Sequence, residues 1–254
     1  MSDPPTFTLD ATYAAAWRAL RARYGVLVGA AALDLIAWAA VLGVLYALPR
    51  IDPTLLSLTL FVIPTFFFAP LEAGVSYVAL RSVRDEDPSL NDILWGFDRY
   101  GPVVGCRLLM QAVGAVLTLP AQAALTGGGG APGALLLAGL LYVLTAPISL
   151  YITTRFWLAP LICLDPSRGI RIGDRTQRPG MADAMRISWR LTGPHAWLLL
   201  LVVFLSWAMP LAGIALLLAG APLLGVPLSF CVQAAAYQLI TGRATPRTGS
   251  PSRA

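Results

Sequence analysis

Several apolar stretches of about 20 residues or more run through the sequence, and they leave few folds open to this chain. A helix rises about 1.5 Å per residue, so each stretch is long enough to cross the hydrocarbon core of a bilayer. Only 12% of the residues are charged, about half the share in a soluble domain. The stretches are continuous rather than alternating, which disfavours a transmembrane β-barrel. The sequence therefore predicts an all-α fold, a polytopic transmembrane helical bundle.

The predicted bundle has about six spans, which together form a single domain over residues 1–242. A basic tail rich in Pro and Ser follows at residues 243–254, and its composition predicts disorder. The first apolar run is too long for the core of a signal peptide, so we interpret it as a retained helix. The predicted spans are residues 25–48, 55–80, 102–125, 134–164, 195–218 and 223–241.

The arginines predict how these spans are oriented. Segments at successive ends of the spans hold three, one, three, no, six, no and three arginines, so rich and poor ends alternate along the chain. Because cytoplasmic loops carry the excess of basic residues, this pattern predicts a multi-pass protein of the bacterial cytoplasmic membrane with both termini in the cytoplasm. The richest loop holds Arg168, Arg171, Arg175, Arg178, Arg186 and Arg190.

Spans 1, 3 and 5 are each preceded by a short segment that we call a lead-in helix, at residues 8–23, 89–100 and 181–191. Apolar residues at helical spacing on one face, with arginines on the other, predict amphipathic helices in the membrane interface. Ser89 with Asp92 three residues later is a capping-box pattern. Each lead-in helix is followed by a transmembrane hairpin. The three copies of this arrangement are interpreted either as an internal repeat or as unrelated amphipathic segments.

Four stretches carry a resemblance: SLNDILWGFDRYG, RFWLAPLICLD, MADAMRISWRLTGPHAW and AGIALLLAGAPLLGVPLSFCVQAAAYQLITG. In these the chain resembles a family of uncharacterised bacterial integral membrane proteins, which is similar to the membrane-anchor domain of some glycerophosphodiester phosphodiesterases. The resemblance covers residues 89–119 and 147–241. It implies a six-helix bundle in the cytoplasmic membrane. No phosphodiesterase domain accompanies these stretches, so that activity is not implied.

The sequence predicts no catalytic, cofactor or metal site. Its single histidine, His195, begins a span beside Trp197, where an interfacial role is more common than catalysis. The glycine-rich segment at residues 126–133 lacks the Lys and Ser or Thr of a phosphate-binding loop. Three cysteines lie inside apolar runs and are expected to be small buried hydrophobes: Cys106, Cys163 and Cys231.

Charged residues within the predicted spans are the strongest functional signal, because a charge in hydrocarbon costs a few kcal/mol. Counted along the helices, one layer about 12–14 Å deep holds Asp34, Glu72, Arg155 and Gln233, whereas Arg107 lies about 7 Å deep. We predict a buried charge cluster in which Arg155 faces the interior and pairs with Glu72, Asp34 or both. The cluster is interpreted either as structural ion pairing or as a transport site.

Two functions are consistent with these sequence features. The first is a non-enzymatic integral protein of the bacterial cytoplasmic membrane that organises lipids or partner proteins through its lead-in helices. The second is a small transporter or channel that uses Asp34, Glu72 and Arg155. The first function predicts that the buried charged side chains pair with one another and are shielded from water. The second function predicts that water reaches the acidic residues through a cavity. Expected partners are membrane lipids, with another membrane protein or a second copy of the chain as alternatives; nucleic acid is not expected.

Overall fold

The protein is described by a computed structural model that covers residues 7–47, 62–127, 131–168, 170–172, 175–216 and 221–242. Nearly all of this is helical. Two π-helical turns, Pro64–Phe68 and Ala221–Gly225, each lead into a long helix, and a 3-10 turn, Leu90–Leu94, leads into a short one. The helices are α1 Leu9–Ala22, α2 Tyr24–Ala47, α3 Ala69–Val83, α4 Trp95–Asp98, α5 Tyr100–Gly127, α6 Pro132–Phe156, α7 Ala159–Leu164, α8 Met181–Thr192, α9 Ala196–Leu216 and α10 Val226–Ile240.

Five helices in the described ranges are long and apolar enough to cross a membrane, which indicates a multi-pass membrane protein. The predicted second span, residues 55–80, lies partly outside the described residues and is not among the five, so the number six stays a prediction. The predicted tail, residues 243–254, lies wholly outside them. The five candidate spans are Tyr24–Val44, Tyr100–Gly127, Pro132–Leu164, Met181–Pro210 and Leu223–Ile240.

The core of the bundle is formed by α3, α7 and α10, which are the most buried helices in the described ranges. Every residue of α3 from Val75 to Leu80 is buried, and α3 packs against both α7 and α10. A helix with apolar or small residues on all its faces can be surrounded by other helices, whereas an amphipathic one needs an exposed face. The outer helices leave large apolar side chains exposed where lipid would lie, among them Leu136, Val143 and Trp197.

All three lead-in segments are helical and pack against this core. Helix α1 contacts α10 and α3 through buried Ala16 and Leu20, and α8 contacts α7. The segment with the 3-10 turn and α4 lies against α3, and there the capping interaction predicted from Ser89 and Asp92 is present. The Asp92 carboxylate accepts a hydrogen bond from the Ser89 backbone N–H at 2.7 Å. The predicted location of these helices in a membrane interface stays a prediction.

The arginine-rich loop contains the only strands in the described part of the chain. Strands β1, Ile170–Ile172, and β2, Arg175–Gln177, pair antiparallel with Ile172 opposite Arg175. Sequence analysis described this segment only as a loop and predicted no strands in it. Alternation of Ile with Arg in β1 is the period-2 pattern of a strand, but three residues are too few for that pattern to be noticed.

Candidate functional site

A cavity of about 270 Å³, lined by both apolar and polar side chains, lies between the core helices and the outer helices α5 and α9. It brings together three of the five residues predicted to form the buried charge cluster: Glu72, Arg107 and Gln233. Drug-sized ligands occupy roughly 300–1,000 Å³, so this volume fits a smaller molecule or several waters. Its other walls are formed by Ala69, Ala73, Ser76, Val103, Met110, Thr153, Trp157, Pro160, Ser206, Trp207, Ser229 and Phe230.

An ion pair crosses the cavity wall between α3 and α5. The Arg107 Nη1 lies 3.5 Å from the Glu72 Oε2, which is longer than the 2.7–2.9 Å of a tight charge-assisted hydrogen bond. The side chain of Trp38 on α2 also lies beside Glu72. The Arg107 Nε is buried and has no hydrogen-bond partner among the described residues. The pair is therefore loose, and the guanidinium keeps donor capacity for another acceptor.

Gln233 connects the cavity to two further helices. Its amide oxygen accepts a hydrogen bond from the Ser76 hydroxyl at 2.9 Å, and its amide nitrogen donates to the Trp157 carbonyl at 2.9 Å. That carbonyl lies between α6 and α7, where the helical hydrogen bonding is interrupted. Gln233 thus satisfies a backbone acceptor that a continuous helix would have satisfied itself.

Asp34 is buried on α2, four residues before Trp38 and therefore on the same face of that helix. It lies close enough to Glu72 for the two carboxylates to interact electrostatically, but it does not line the cavity. Within the described ranges its Oδ1 has no hydrogen-bond partner. The two acids predicted to share one layer are therefore neighbours.

The predicted pairing of Arg155 with Glu72 or Asp34 is wrong. Arg155 is buried, as expected, but at the end of α6 its guanidinium stacks on the Trp189 ring at 4.1 Å and donates to the Trp189 carbonyl near the end of α8. The backbone carbonyl of Arg155 accepts from the hydroxyls of Ser188, at 2.8 Å, and Thr192. The direction of the Arg155 side chain around its helix was therefore not predicted correctly.

A second buried charge network, which sequence analysis missed, lies at the end of the bundle that carries Arg84. We call this end of the bundle the arginine-rich end. Arg84 donates two hydrogen bonds to the fully buried carboxylate of Asp165, at 3.1 and 2.7 Å. Tyr237 donates to the same carboxylate at 2.7 Å, and the Arg84 Nε donates to Gln238 at 3.1 Å. The network therefore joins the ends of the three core helices α3, α7 and α10.

Asp165 is held in its ionised form by these contacts. Burial alone would raise the pKa of its carboxyl group, but the hydrogen bonds from Arg84, Ser167 and Tyr237 outweigh burial and hold the pKa well below its usual range. Because both oxygens of the carboxylate are satisfied, we interpret this network as a structural clasp. We refer to Arg84, Asp165, Tyr237 and Gln238 as the clasp below.

The three cysteines are buried, as predicted, and the Sγ atoms of Cys106 and Cys163 lie 3.9 Å apart. His195 contacts the ring of Phe7 edge-on, with 5.3 Å between the ring centres. Within the ranges that the structure covers, no three His, Cys, Asp or Glu side chains are grouped closely enough to hold a metal ion.

No known protein family matches the chain, and neither does any curated protein or any solved structure. The resemblance to the membrane-anchor domain of glycerophosphodiester phosphodiesterases therefore stays a prediction.

Proposed function

We propose that this protein is a non-enzymatic integral protein of the bacterial cytoplasmic membrane that binds a small polar solute between its helices and takes part in the transport of that solute. The observation that carries this proposal is the cavity at Glu72 and Arg107. Charged residues within membrane helices commonly mark the pathway of a substrate or an ion.

The cavity supports transport over purely structural ion pairing for two reasons. A structural pair is expected to be tightly hydrogen-bonded and surrounded by apolar packing, because a loosely paired charge in hydrocarbon is costly. Here the closest approach is 3.5 Å, and roughly a third of each side chain is accessible to a water-sized probe, 35% for Arg107 and 28% for Glu72. Both side chains line the cavity.

We infer that the arginine-rich end faces the cytoplasm, following the positive-inside rule. Reporter fusions after Arg84 and Arg178 should then give a cytoplasmic signal, and a fusion near Gly128 a signal from the opposite side. A cytoplasmic signal at Gly128 would contradict the proposed topology.

The organisation of lipids is a second candidate function, and one recurring contact favours it. Each lead-in segment carries a tryptophan with a guanidinium stacked over its ring: Arg21 over Trp17 at 4.9 Å, Arg178 over Trp95 at 4.8 Å, and Arg155 over Trp189 at 4.1 Å. Tryptophan and arginine are the residues that anchor helices at the level of lipid headgroups.

Accessibility of the cavity to water separates the two functions. In a background with Cys106, Cys163 and Cys231 replaced by Ala, Ser229→Cys places a thiol on the cavity wall, and Leu144→Cys places one on the exposed outer face of α6. A small charged thiol reagent added to the protein in nanodiscs should modify the first variant and not the second. Equal protection of both thiols would contradict the transport proposal and leave lipid organisation as the better account.

A further inference from the structure

We propose that the ligand of the cavity is a small zwitterion, whose ammonium group lies against Glu72 and whose carboxylate or phosphate lies against Arg107. This inference rests on the proposed function, because it assigns a chemical class to the solute that the cavity binds. The shared chemistry is an ammonium and an anionic oxygen on one short, flexible molecule. Such a group occurs both in free amino-acid-like solutes and in the headgroup of a zwitterionic lipid.

The charge of the cavity wall supports a ligand that is neutral overall. Glu72 and Arg107 together carry no net charge, so a purely anionic or cationic ligand would bring an uncompensated charge into the membrane interior. A zwitterion adds none. It also replaces a single ionic contact of 3.5 Å with two charge-assisted contacts, one at each end of the ligand.

Unused hydrogen-bonding capacity lies at both ends of this pair. A guanidinium has five N–H donors, and 35% of the Arg107 side chain is exposed, with its Nη1 only loosely paired to Glu72 at 3.5 Å. On the other side of the pair, the Glu72 carboxylate lines the cavity with 28% of its side chain exposed, so it keeps accepting capacity toward a ligand. The site therefore has a donor-rich end at Arg107 and an acceptor-rich end at Glu72, as a zwitterion requires.

The remaining walls fit a small molecule with an aliphatic linker. The rings of Trp157, Trp207 and Phe230 provide apolar surface, and a ring face can also attract an ammonium group. Ser206 and Ser229 also line the cavity, and each hydroxyl donates to a backbone carbonyl of its own helix. A volume of about 270 Å³ accommodates a few heavy atoms between the two charged ends.

Three probes that share a four-carbon chain test the assignment: 4-aminobutyrate, which is a zwitterion, and butyrate and butylamine, which each carry only one of its charges. Each is added at the same concentration and ionic strength to the purified full-length protein in detergent, and thermal unfolding is followed. We expect 4-aminobutyrate to raise the unfolding midpoint by about 3 °C or more, because a ligand that binds only the folded state stabilises it. Butyrate and butylamine should give no shift.

A second arm of the experiment tests whether the zwitterion that binds in the cavity is a lipid headgroup rather than a free solute. The protein is reconstituted in nanodiscs of phosphatidylethanolamine, whose headgroup is zwitterionic, or of phosphatidylglycerol, whose headgroup is anionic. A higher unfolding midpoint in phosphatidylethanolamine, with no response to free 4-aminobutyrate, identifies the headgroup as the source. The opposite result identifies a free solute, and either result supports the zwitterion.

Variants of the protein test whether the shift of the unfolding midpoint arises from binding in the cavity. Glu72→Gln with Arg107→Gln removes both charges together and should abolish the shift, whereas Arg186→Gln, an exposed arginine on α8, should retain it. If the double variant does not fold, Ser229→Leu narrows the cavity while leaving both charges in place, and it should abolish the shift as well.

Two results would overturn the assignment. One is stabilisation by butyrate or butylamine as large as that by 4-aminobutyrate, and the other is the absence of any shift in both arms. If butyrate or butylamine stabilises the parent but not the double variant, the cavity binds a solute and only the zwitterion is wrong. If the thiol at position 229 is also protected from the water-soluble reagent, the proposed function fails with it.

Discussion

Arg84 and Asp165 form a two-pronged ion pair between the ends of α3 and α7, with the carboxylate completely buried. Removal of one partner leaves the other charge buried without a counter-ion, which typically lowers the free energy of unfolding by about 3–5 kcal/mol. We therefore expect Asp165→Ala to lower the free energy of unfolding by about that amount. Asp183→Ala on the exposed face of α8 should change it by no more than about 0.5 kcal/mol. Chemical denaturation in detergent would measure both variants, and equal stabilities would contradict the role of the clasp.

The lowered pKa of Asp165 also predicts a pH dependence of stability. A carboxyl group whose pKa is lower in the folded state stabilises the fold above its unfolded pKa, about 3.9, and loses that contribution as the pH falls through and below this value. The parent should lose stability progressively from about pH 5 downward, and the loss should continue well below about pH 3. Asp165→Asn should be less stable at pH 7 and lose less on acidification. An identical acid response in parent and variant would show that Asp165 does not contribute.

Arg155 is predicted to stabilise the joint between α6 and α8 rather than the cavity. Arg155→Ala leaves the Trp189 carbonyl without this donor and removes the stacking on its ring, so we expect a loss of about 1–3 kcal/mol. Because a planar guanidinium both stacks and donates, Arg155→Lys should recover only part of this loss. Any zwitterion-induced shift of the unfolding midpoint should persist in both variants. Its loss in a folded Arg155 variant would mean that Arg155 belongs to the site after all.

Close packing between α3 and the lead-in segment before α5 depends on two glycines. A Cβ atom added to Gly96 would overlap the Pro70 carbonyl, and one added to Gly74 would overlap the Ile93 carbonyl. Backbone cannot yield as a flexible side chain can, so Gly74→Ala and Gly96→Ala should each cost more than about 2 kcal/mol. Gly114→Ala on α5 meets open space and should be neutral or slightly stabilising, since alanine favours a helix. Thermal unfolding of the three variants would test this contrast.

The sequence was sufficient for the class of fold because apolar length and arginine content reflect the membrane directly. The residues at the cavity were also recognisable, since Glu72, Arg107 and Gln233 are conspicuous in apolar runs. Their partners were not recognisable. A shift of one residue turns a side chain by about 100° around a helix, and which neighbour it meets depends on how the helices pack.

The clasp was missed for a different reason. Arg84 and Asp165 each stand at the end of an apolar run, where charged residues are ordinary and usually solvated. Only the burial of α7 beneath α8 shows that Asp165 is inside the protein. Tyr237 and Gln238, two polar residues in the last turns of α10, were the available signal for a partner at that level.

Radiolytic footprinting of the unmodified protein in nanodiscs tests most directly whether water fills the cavity at Glu72 and Arg107. Hydroxyl radicals generated from water oxidise side chains that contact it. Met110 and Met209 are both half-buried in apolar helices, but only Met110 lines the cavity. Our account predicts that Met110 is oxidised markedly faster than Met209. Equal, slow oxidation of the two methionines would show that the cavity is dry and would contradict the proposed solute site.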